Sequence, residues 1–226
     1  MKIKNKSLSD KSKKWLKRHL KDEFVKKSKA EKYRSRAAYK LIEIDKKFNL
    51  LKSCKSAVDL GAAPGSWSEV LVEKLKSPRK IVAIDLLDIK PLKNVEIIKG
   101  DFRSNDFANT LKNNGPFELL LSDASPNLTG NKTADFLQSL ELIENIFEIA
   151  LKDLSVGGHL VAKYFRSGDI KDLILKAKKN FAKVTSFKPD SSRKESSEIY
   201  LVCLKKRESV DANKVYGIKF NPNQMW

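Results

Sequence analysis

The sequence predicts an α/β fold in which a seven-stranded, mostly parallel sheet is covered by helices on both faces. After Cys54 the chain changes into short apolar runs that alternate with amphipathic stretches. Strands that alternate with helices favour parallel pairing, because each helix carries the chain back across one face of the sheet. Hydrophobic residues make up 41% of the chain, which is enough to bury a core and argues against wholesale disorder.

Apolar runs of strand length occur seven times along the chain. They predict strands over residues 56–60, 80–85, 94–99, 117–122, 158–164, 182–187 and 198–204. A first helix is expected from Arg36 to Phe48, and later helices over 66–76, 104–113, 132–153 and 168–180. These elements fit one medium domain with an appendage better than two full domains.

The last two predicted strands stand too close in the sequence to have a helix between them. We therefore expect them to pair antiparallel, so that the last strand runs against an otherwise mostly parallel sheet. Seven strands with a reversed last one resemble the Rossmann-like layout of class I methyltransferases, which use S-adenosyl-L-methionine.

Composition narrows the classes of partner. The 226 residues include 46 Lys and Arg against 28 Asp and Glu, a net charge of +18, which favours polyanions as partners. No run nears the roughly 18 apolar residues that span a bilayer, and the Lys-rich start has no leader pattern. We therefore expect a cytoplasmic protein without a membrane partner. Two cysteines, Cys54 and Cys203, are too few for a disulfide framework or a zinc site.

Most of the positive charge lies at the N terminus. Residues 1–40 hold sixteen Lys or Arg and four acids, so +12 of the +18 belongs to this segment. Such a block suits salt-sensitive contact with a phosphate backbone, although a solubilising tail is the alternative. Apolar residues at roughly helical spacing indicate that part of the segment docks on the body: Trp15, Leu16, Leu20, Phe24 and Val25.

A glycine-containing loop follows the first predicted strand, in the run DLGAAPGSW from Asp59 to Trp67. Its small residues and Gly65 let the backbone approach a ligand closely, and open α/β sheets bind ligands at the carboxyl ends of their strands. Asp85 ends the second strand about twenty residues later, where a carboxylate can accept both hydroxyls of an adenosine ribose. Asp101, after the third strand, is placed to receive an adenine amine or to orient a neighbouring loop.

The loop also discriminates among adenosine-containing ligands. Dinucleotide enzymes place a glycine two residues after the first, but Ala63 stands there, and no Walker sequence is present. Pro64 breaks the smooth helix entry that binds pyrophosphate. An adenosyl ligand without phosphate, S-adenosyl-L-methionine, is therefore expected. Trp67 either lines the cofactor or packs inside the domain, and Asp59 either stabilises the turn or reaches the cofactor's amino group.

Three ionisable residues occupy strand positions where apolar ones are expected: Asp123, Lys163 and Glu198. A buried charge is costly unless it is paired, so we expect these lysines and acids to meet. Asp123 and Lys163 end neighbouring strands at the edge that carries the glycine loop. Lys40, on the predicted first helix, is the fourth candidate. A structural ion-pair network is the alternative interpretation, above all for Lys40.

These motifs together resemble the FtsJ family of ribosomal RNA methyltransferases over about residues 10–205. The matching runs stand in the family's order: RSRAAYKLIEI, DLGAAPGSWSEV, AIDLLDIKP, GDFR, LSDASPNLTGN, VAKYFRSGD and KPDSSRKESSEIYLV. The resemblance implies a catalytic set of Lys40, Asp123, Lys163 and Glu198. It implies cofactor-binding residues Gly65, Trp67, Asp85, Asp101 and Asp123. Ser66 departs from the family, which usually has a second glycine there.

The resemblance further implies methylation of a ribose 2′-hydroxyl, at the A-loop uridine of 23S ribosomal RNA in the large ribosomal subunit, by a monomer without a metal. It divides the chain into a basic RNA-binding extension (1–35), a methyltransferase domain (36–205) and a tail of unassigned role (206–226). A transfer-RNA ribose methyltransferase of the same superfamily and a non-catalytic ribosome-assembly factor are the alternatives. A dehydrogenase is more remote.

A ribose 2′-hydroxyl is a poor nucleophile at neutral pH, so its proton has to be removed as the methyl group is attacked. Our hypothesis is that Lys163 removes this proton while Lys40 positions the hydroxyl and stabilises the developing oxyanion. Asp123 and Glu198 would orient the amine and stabilise the proton that it gains.

Overall fold

The structure, a computed structural model, describes residue 20 and residues 22–76, 80–127, 129–166 and 169–208. Trp15, Leu16 and most of the predicted tail lie outside these ranges. Six helices have both ends within them: α1 (Glu23–Ala30), α2 (Ala37–Phe48), α3 (Ser66–Lys74), α4 (Asn105–Asn114), α5 (Lys132–Asp153) and α6 (Lys171–Asn180). The strands are β1 (Ser56–Leu60), β2 (Lys80–Asp85), β3 (Glu96–Lys99), β4 (Phe117–Ser122), β5 (Leu154–Phe165), β6 (Phe181–Phe187) and β7 (Glu198–Lys206).

The sheet has the predicted class. Its strand order is β3-β2-β1-β4-β5-β7-β6, and the pairs among β1 to β5 are all parallel. Strand β7 runs antiparallel to both of its neighbours, β5 and β6. The prediction of a reversed last strand is therefore confirmed. The reversed strand does not form the edge, because β7 inserts between β5 and β6 and leaves β6 outermost.

Strand β5 is longer than predicted. The sequence predicts its start at residue 158, but it begins at Leu154, directly after α5. Gly157 has a positive φ of 81°, and the pairing with β4 shifts register between Phe117 and Leu119. A glycine in an irregular stretch of strand is typical of a β-bulge, whereas in the sequence it suggests a turn.

Helices cover both faces of the sheet, as predicted. On one face, α2 and α3 pack through Leu41, Ile44 and Leu71 against strand residues such as Leu119 and Leu121. On the other face, α5 and α6 pack through residues including Ile146 and Ala177 against Leu120 and Leu160. Residues 119 and 121 thus enter one core and residue 120 enters the other, which is the period of two expected of a strand.

Helix α1 belongs to the basic N-terminal segment and lies against α2. Val25 is buried, and the Phe24 ring lies 5.5 Å from the Tyr39 ring. The Tyr39 hydroxyl donates a 2.8 Å hydrogen bond to Glu31, just beyond the end of α1. Among the helices of the described ranges, none combines the length and apolarity needed to cross a membrane.

Candidate active site

Asp123 and Lys163 meet because their strands are neighbours in register. Strands β4 and β5 are parallel, and Ser122 pairs with Ala162, so the next residue of each strand lies at the same level. Lys163 Nζ lies 3.1 Å from Asp123 Oδ1 and donates a 2.6 Å hydrogen bond to the Asp123 carbonyl oxygen. One ammonium group therefore contacts both the side chain and the main chain of Asp123.

Lys40 and Glu198 complete the group from outside this strand pair. Lys40 Nζ, on α2, lies 3.4 Å from both carboxylate oxygens of Asp123. It also lies 3.1 Å from Glu198 Oε1, at the start of β7. The structure thus brings together the four predicted residues as a continuous series of opposite charges, Lys163–Asp123–Lys40–Glu198.

These four side chains are largely shielded from solvent, with 9% to 18% of each exposed. Burial by itself raises the pKa of Asp123, but the charges of Lys163 and Lys40 and a hydrogen bond from Tyr200 outweigh it. The Asp123 pKa is therefore lower than the ordinary value of an aspartate. Its carboxylate stays ionised at neutral pH and holds two ammonium groups at the edge of the sheet.

Tyr200 is a member of this site that the sequence analysis missed. Its hydroxyl donates a 2.6 Å hydrogen bond to Asp123 Oδ1, and its ring lies 5.7 Å from Lys40 Nζ. Burial, followed by the charges of Asp123 and Glu198, raises the Tyr200 pKa well above its usual value, so the hydroxyl remains a donor. The sequence offers only a weak signal for Tyr200, because it follows Glu198 by two residues and so shares its face of β7, but a tyrosine in a strand is ordinary.

The glycine loop lies directly against this group. Gly61 has a φ of 71°, and a Cβ at this position would lie 2.4 Å from the Cβ of Ala124, the residue after Asp123. Gly65 has a φ of 102°, and a Cβ there would lie 2.7 Å from Arg34 Nη1. Both positions therefore require glycine, as expected where the backbone has to pass close to a neighbour or a ligand.

Asp85 ends β2 beside the glycine loop. Its Oδ2 accepts a 2.8 Å hydrogen bond from the Ala63 amide, and its Oδ1 accepts one of 2.8 Å from the Leu87 amide. Leu86 and Leu87 are 58% and 67% exposed, so two apolar side chains flank a carboxylate at the sheet edge. Leu86 and Leu87 are not among the residues expected at the site from the sequence, although two apolar residues at the end of a strand are a visible signal.

Asp101 is held by its own loop. Its carboxylate accepts hydrogen bonds from Arg103 Nε at 2.9 Å and from Arg103 Nη2 at 2.7 Å. The hydrogen bonds from Arg103 contribute most to a lowered pKa of Asp101. Of the two roles predicted for Asp101, orientation of a neighbouring loop is therefore the one with contacts in this structure.

The Trp67 side chain is buried in the domain, with 2% of the residue exposed. Its Nε1 donates a 2.8 Å hydrogen bond to the Ala37 carbonyl at the start of α2, and its ring lies 5.7 Å from the Tyr200 ring. Trp67 thus packs between the helix that carries Lys40 and the tyrosine that contacts Asp123. Of its two predicted roles, packing inside the domain is the one that these contacts support.

Arg34 ties the segment before α2 to the loops around the glycine turn. Its backbone amide and Nε both bind the Glu69 carboxylate on α3. Its Nη1 donates 2.8 Å hydrogen bonds to the carbonyls of Pro64 and Lys90, and Nη2 donates to the Pro91 carbonyl at 3.0 Å. One guanidinium therefore joins the glycine loop, α3 and the segment after β2.

Ser66 and Asp59 lie beneath the same loop. The hydroxyls of Ser66 and Ser35 are 2.7 Å apart and share a hydrogen bond, so the departure from the family motif adds a link to the segment before α2. Asp59 is 1% exposed and accepts a 2.7 Å hydrogen bond from the Ser68 hydroxyl. Of its two predicted roles, stabilisation of the turn is the one that these contacts support.

The residues at this edge fit an adenosyl cofactor better than a metal ion. Two glycines give close access to the backbone, and Asp85 presents a carboxylate beside exposed Leu86 and Leu87. Gly65 caps α3 without a side-chain hydrogen bond, so the first amides of α3 can serve as donors. Within the described ranges, no group of three or more His, Cys, Asp or Glu could hold a metal ion.

Comparison with known proteins identifies sequence relatives of the whole domain. The family model of FtsJ-like methyltransferases matches residues 33–206. A protein of Rickettsia bellii named ribosomal RNA large subunit methyltransferase E is 45% identical over 202 residues, which cover 85% of this chain and 88% of that protein. The range of the family model includes Lys40, Asp123, Lys163 and Glu198.

Solved structures show the same architecture. A crystal structure from Plasmodium falciparum, described as a ribosomal RNA methyltransferase, superimposes with a TM-score of 0.70 at 35% identity, covering 77% of this chain and 98% of that chain. The MycE methyltransferase of the mycinamycin biosynthetic pathway, in complex with Mg and SAH, gives a TM-score of 0.52 at 13% identity. That match covers 75% of this chain and 50% of the other, and it shows the fold alone.

Proposed function

This chain belongs to the FtsJ-like methyltransferase family, and we propose that it methylates a ribose 2′-hydroxyl of 23S ribosomal RNA in the large ribosomal subunit. The uridine of the A-loop is the nucleotide that we expect. The observation that carries the proposal is the contact between the glycine loop and the group of four charged residues around Asp123. Gly61 of the glycine loop lies against Ala124, next to the carboxylate on which Lys163 and Lys40 converge.

S-adenosyl-L-methionine, when bound, supplies an electrophilic methyl group. We expect Gly65, the Trp67 backbone, Asp85, Asp101 and Asp123 to hold it. Asp85 would accept hydrogen bonds from the ribose hydroxyls, since each of its oxygens already accepts one amide and retains a further lone pair. The exposed apolar side chains that follow Asp85 would cover the adenine ring.

Lys163 is the proposed general base. Lys163 would act in its deprotonated form, so its ammonium group has to release one proton before methyl transfer. The neutral amine, which still donates to the Asp123 carbonyl, would then accept the proton of the ribose hydroxyl as the oxygen attacks. The resulting ammonium would then be stabilised by the Asp123 carboxylate, which stays ionised because its pKa is lowered. Lys40, paired with both Asp123 and Glu198, would orient the hydroxyl and stabilise negative charge on its oxygen.

RNA supplies the polyanion that the charge of +18 favours. The basic residues of segment 1–35 would hold the ribosomal RNA backbone through salt-sensitive phosphate contacts. The packing of α1, which is residues 23–30 of this segment, on α2, the helix of Lys40, supports this proposal. We expect the protein to act in the cytoplasm. We also expect it to be a monomer, and light scattering of the purified protein would check its oligomeric state.

Ribose-methylation mapping of ribosomal and transfer RNA, from cells with and without this gene, tests the substrate. Loss of one 2′-O-methyl mark in 23S ribosomal RNA is the expected result. Loss of a transfer-RNA mark with an intact A-loop would instead identify a transfer-RNA methyltransferase. No lost mark, together with defective subunit assembly, would identify a non-catalytic assembly factor.

A second experiment separates binding from transfer. Purified protein is given labelled S-adenosyl-L-methionine and either large subunits or naked ribosomal RNA from the deletion strain. We expect the wild-type protein to transfer the methyl group to one RNA species. The Lys163→Met variant should still bind the cofactor but give no detectable transfer. Equal transfer by the variant would contradict the proposed role of Lys163.

A further inference from the structure

Asp22 lies where the most basic part of the chain meets the body of the protein. Residues 1–21 contain nine Lys or Arg and one acid, and Asp22 follows directly. Its Oδ1 caps α1 by accepting hydrogen bonds from the amides of Phe24 at 3.1 Å and Val25 at 3.4 Å. The side chain is only 9% exposed, and a carboxylate so buried requires positive partners.

Two arginines from distant parts of the chain provide these partners. Arg36 Nη1 binds Asp22 Oδ2, and Arg193 Nε lies 3.4 Å from the same oxygen. Arg36 precedes α2, while Arg193 belongs to the segment 188–197 that connects β6 to β7. A single carboxylate therefore joins the basic segment, the helix of Lys40 and the connection that leads to Glu198.

One path from Asp22 runs through α2. Arg36 is the N-cap residue of α2, and Lys40 follows it by four residues, about one helical turn. Arg36 Nη2 also binds the Ser191 carbonyl, and Glu43 of the same helix accepts the Ser191 amide at 3.1 Å. The start of α2 is thus fixed against the connection before β7.

The other path runs through that connection. The Arg193 carbonyl accepts a 3.0 Å hydrogen bond from the Ser196 amide, and the Ser196 hydroxyl accepts one of 3.2 Å from the Glu198 amide. Glu198 Oε1 in turn lies 3.1 Å from Lys40 Nζ. The two paths that leave Asp22 therefore meet again at the Lys40–Glu198 pair.

We propose that Asp22 is a positioning residue that couples the RNA-holding basic segment to the catalytic set through Arg36 and Arg193. The point at which the basic residues before Asp22 join the body is thereby fixed relative to Lys40 and Glu198. This inference rests on the proposed function for its RNA substrate. The competing interpretation is that Asp22 serves only to cap α1.

Asp22→Asn separates these interpretations, because asparagine caps a helix as well as aspartate but carries no charge for the arginines. The matched control is Glu23→Gln, which removes the same charge from an exposed position in the first turn of the same helix. Both full-length variants are assayed with large subunits lacking the methyl mark, for kcat, KM and S-adenosyl-L-methionine affinity. Amide exchange at Ser196 and Glu198 is measured in parallel.

For Asp22→Asn we expect kcat to fall about tenfold, as for a small misplacement of reacting groups, while cofactor affinity stays within about twofold. Exchange at Ser196 and Glu198 should accelerate, and Glu23→Gln should behave as wild type in every measurement. Addition of Arg193→Gln to Asp22→Asn should lower kcat no further than either change alone, because both break one connection.

Three results would overturn the inference: a kcat for Asp22→Asn equal to that of Glu23→Gln, a lower melting temperature with unchanged kcat, or additive losses with Arg193→Gln. Failure of the proposed function is a different result, in which the wild-type protein transfers no methyl group to ribosomal RNA. In that case the amide-exchange comparison still decides whether Asp22 orders the connection to Glu198.

Discussion

The Tyr200 hydroxyl donates a 2.6 Å hydrogen bond to Asp123 Oδ1, the oxygen that also lies 3.1 Å from Lys163 Nζ. Tyr200 is fully buried, with Trp67 packed against its ring. Because the position of its hydroxyl is set by packing, Tyr200 limits how far the Asp123 carboxylate can turn. The carboxylate is therefore oriented by a neutral donor as well as by two charged ones.

Tyr200→Phe should raise the pH at which the Asp123 carboxylate takes up a proton, which urea unfolding over a range of acidic pH measures. Its hydrogen bond is one of the interactions that lower the Asp123 pKa, so its loss raises that pKa. Because the Asp123 pKa is lower in the folded state than in the unfolded state, the ionised carboxylate stabilises the fold at pH values above the unfolded-state pKa. This contribution is lost as the pH falls through the folded-state pKa. We expect a kcat about tenfold lower at neutral pH, and a stability loss of about 1.5–3 kcal/mol, as for a hydrogen bond to a charged group.

The control for this change is Tyr164→Phe, which removes a hydroxyl paired with Ser186 at 2.8 Å, outside the catalytic set. It should leave the pH dependence of the unfolding free energy unchanged. The same pH dependence of the unfolding free energy in the Tyr200 variant and wild type would show that the hydrogen bond does not lower the Asp123 pKa.

Lys163→Met should strongly slow methyl transfer without loss of cofactor binding. General-base catalysis typically contributes 10²- to 10⁴-fold, so a reduction of about this size is expected in single-turnover assays. Lys206→Met is a matched control, because the Lys206 amine donates to the Leu151 and Leu154 carbonyls at the end of α5. It should lower stability and leave the rate per folded molecule unchanged. Loss of activity in both variants to the same degree would point to folding and not to catalysis.

The stability of the Asp59→Asn variant relative to wild type should increase as the pH rises. Burial, and to a smaller extent the charges of Asp123 and Asp85, raise the Asp59 pKa to about 7. The folded state therefore holds this proton more tightly than the unfolded state, and wild-type stability falls between the two pKa values as the pH rises. Urea unfolding at pH 5 and pH 8 should show the variant gaining on the order of 2 kcal/mol relative to wild type. A difference independent of pH would contradict the raised pKa.

Ser66→Ala should weaken the link between the glycine loop and the segment before α2. The Ser66 and Ser35 hydroxyls hydrogen-bond to each other, and a typical buried hydrogen bond contributes about 1 kcal/mol. Ser35→Ala should cost more, since the Ser35 hydroxyl also accepts the Ala37 amide. The double variant should lose less than the sum of the two, because both changes break one bond. Strict additivity in urea unfolding would show that the bond contributes nothing.

Most of the fold could be predicted because apolar runs report burial directly. Strands β1, β2 and β4 and helix α5 have the predicted bounds. The start of β5 could not be predicted, since Gly157 and Gly158 suggest a turn, whereas Leu154 and His159 on either side of them both pair with β4. The insertion of β7 between β5 and β6 also depends on pairing between strands that are distant in sequence.

The candidate site was predictable for its charges and not for its neutral members. Asp123, Lys163 and Glu198 stand out because a charge in an apolar run needs a partner. Tyr200 does not, because a tyrosine in a strand is ordinary. For Trp67, helical spacing could not distinguish a cofactor-lining side chain from one that donates to the Ala37 carbonyl.

The succession of strands and helices, the glycine loop and the identity of the four charged residues are properties of the sequence, because they follow from local patterns of polarity and size. The tertiary structure decided what those residues touch. It placed Lys40 between Asp123 and Glu198 and joined Asp22 to Arg36 and Arg193. These contacts link residues up to 171 positions apart, and local periodicity carries no information about pairing at such separations. The physical reason is that an ion pair depends on distance in space, which packing of the two cores sets.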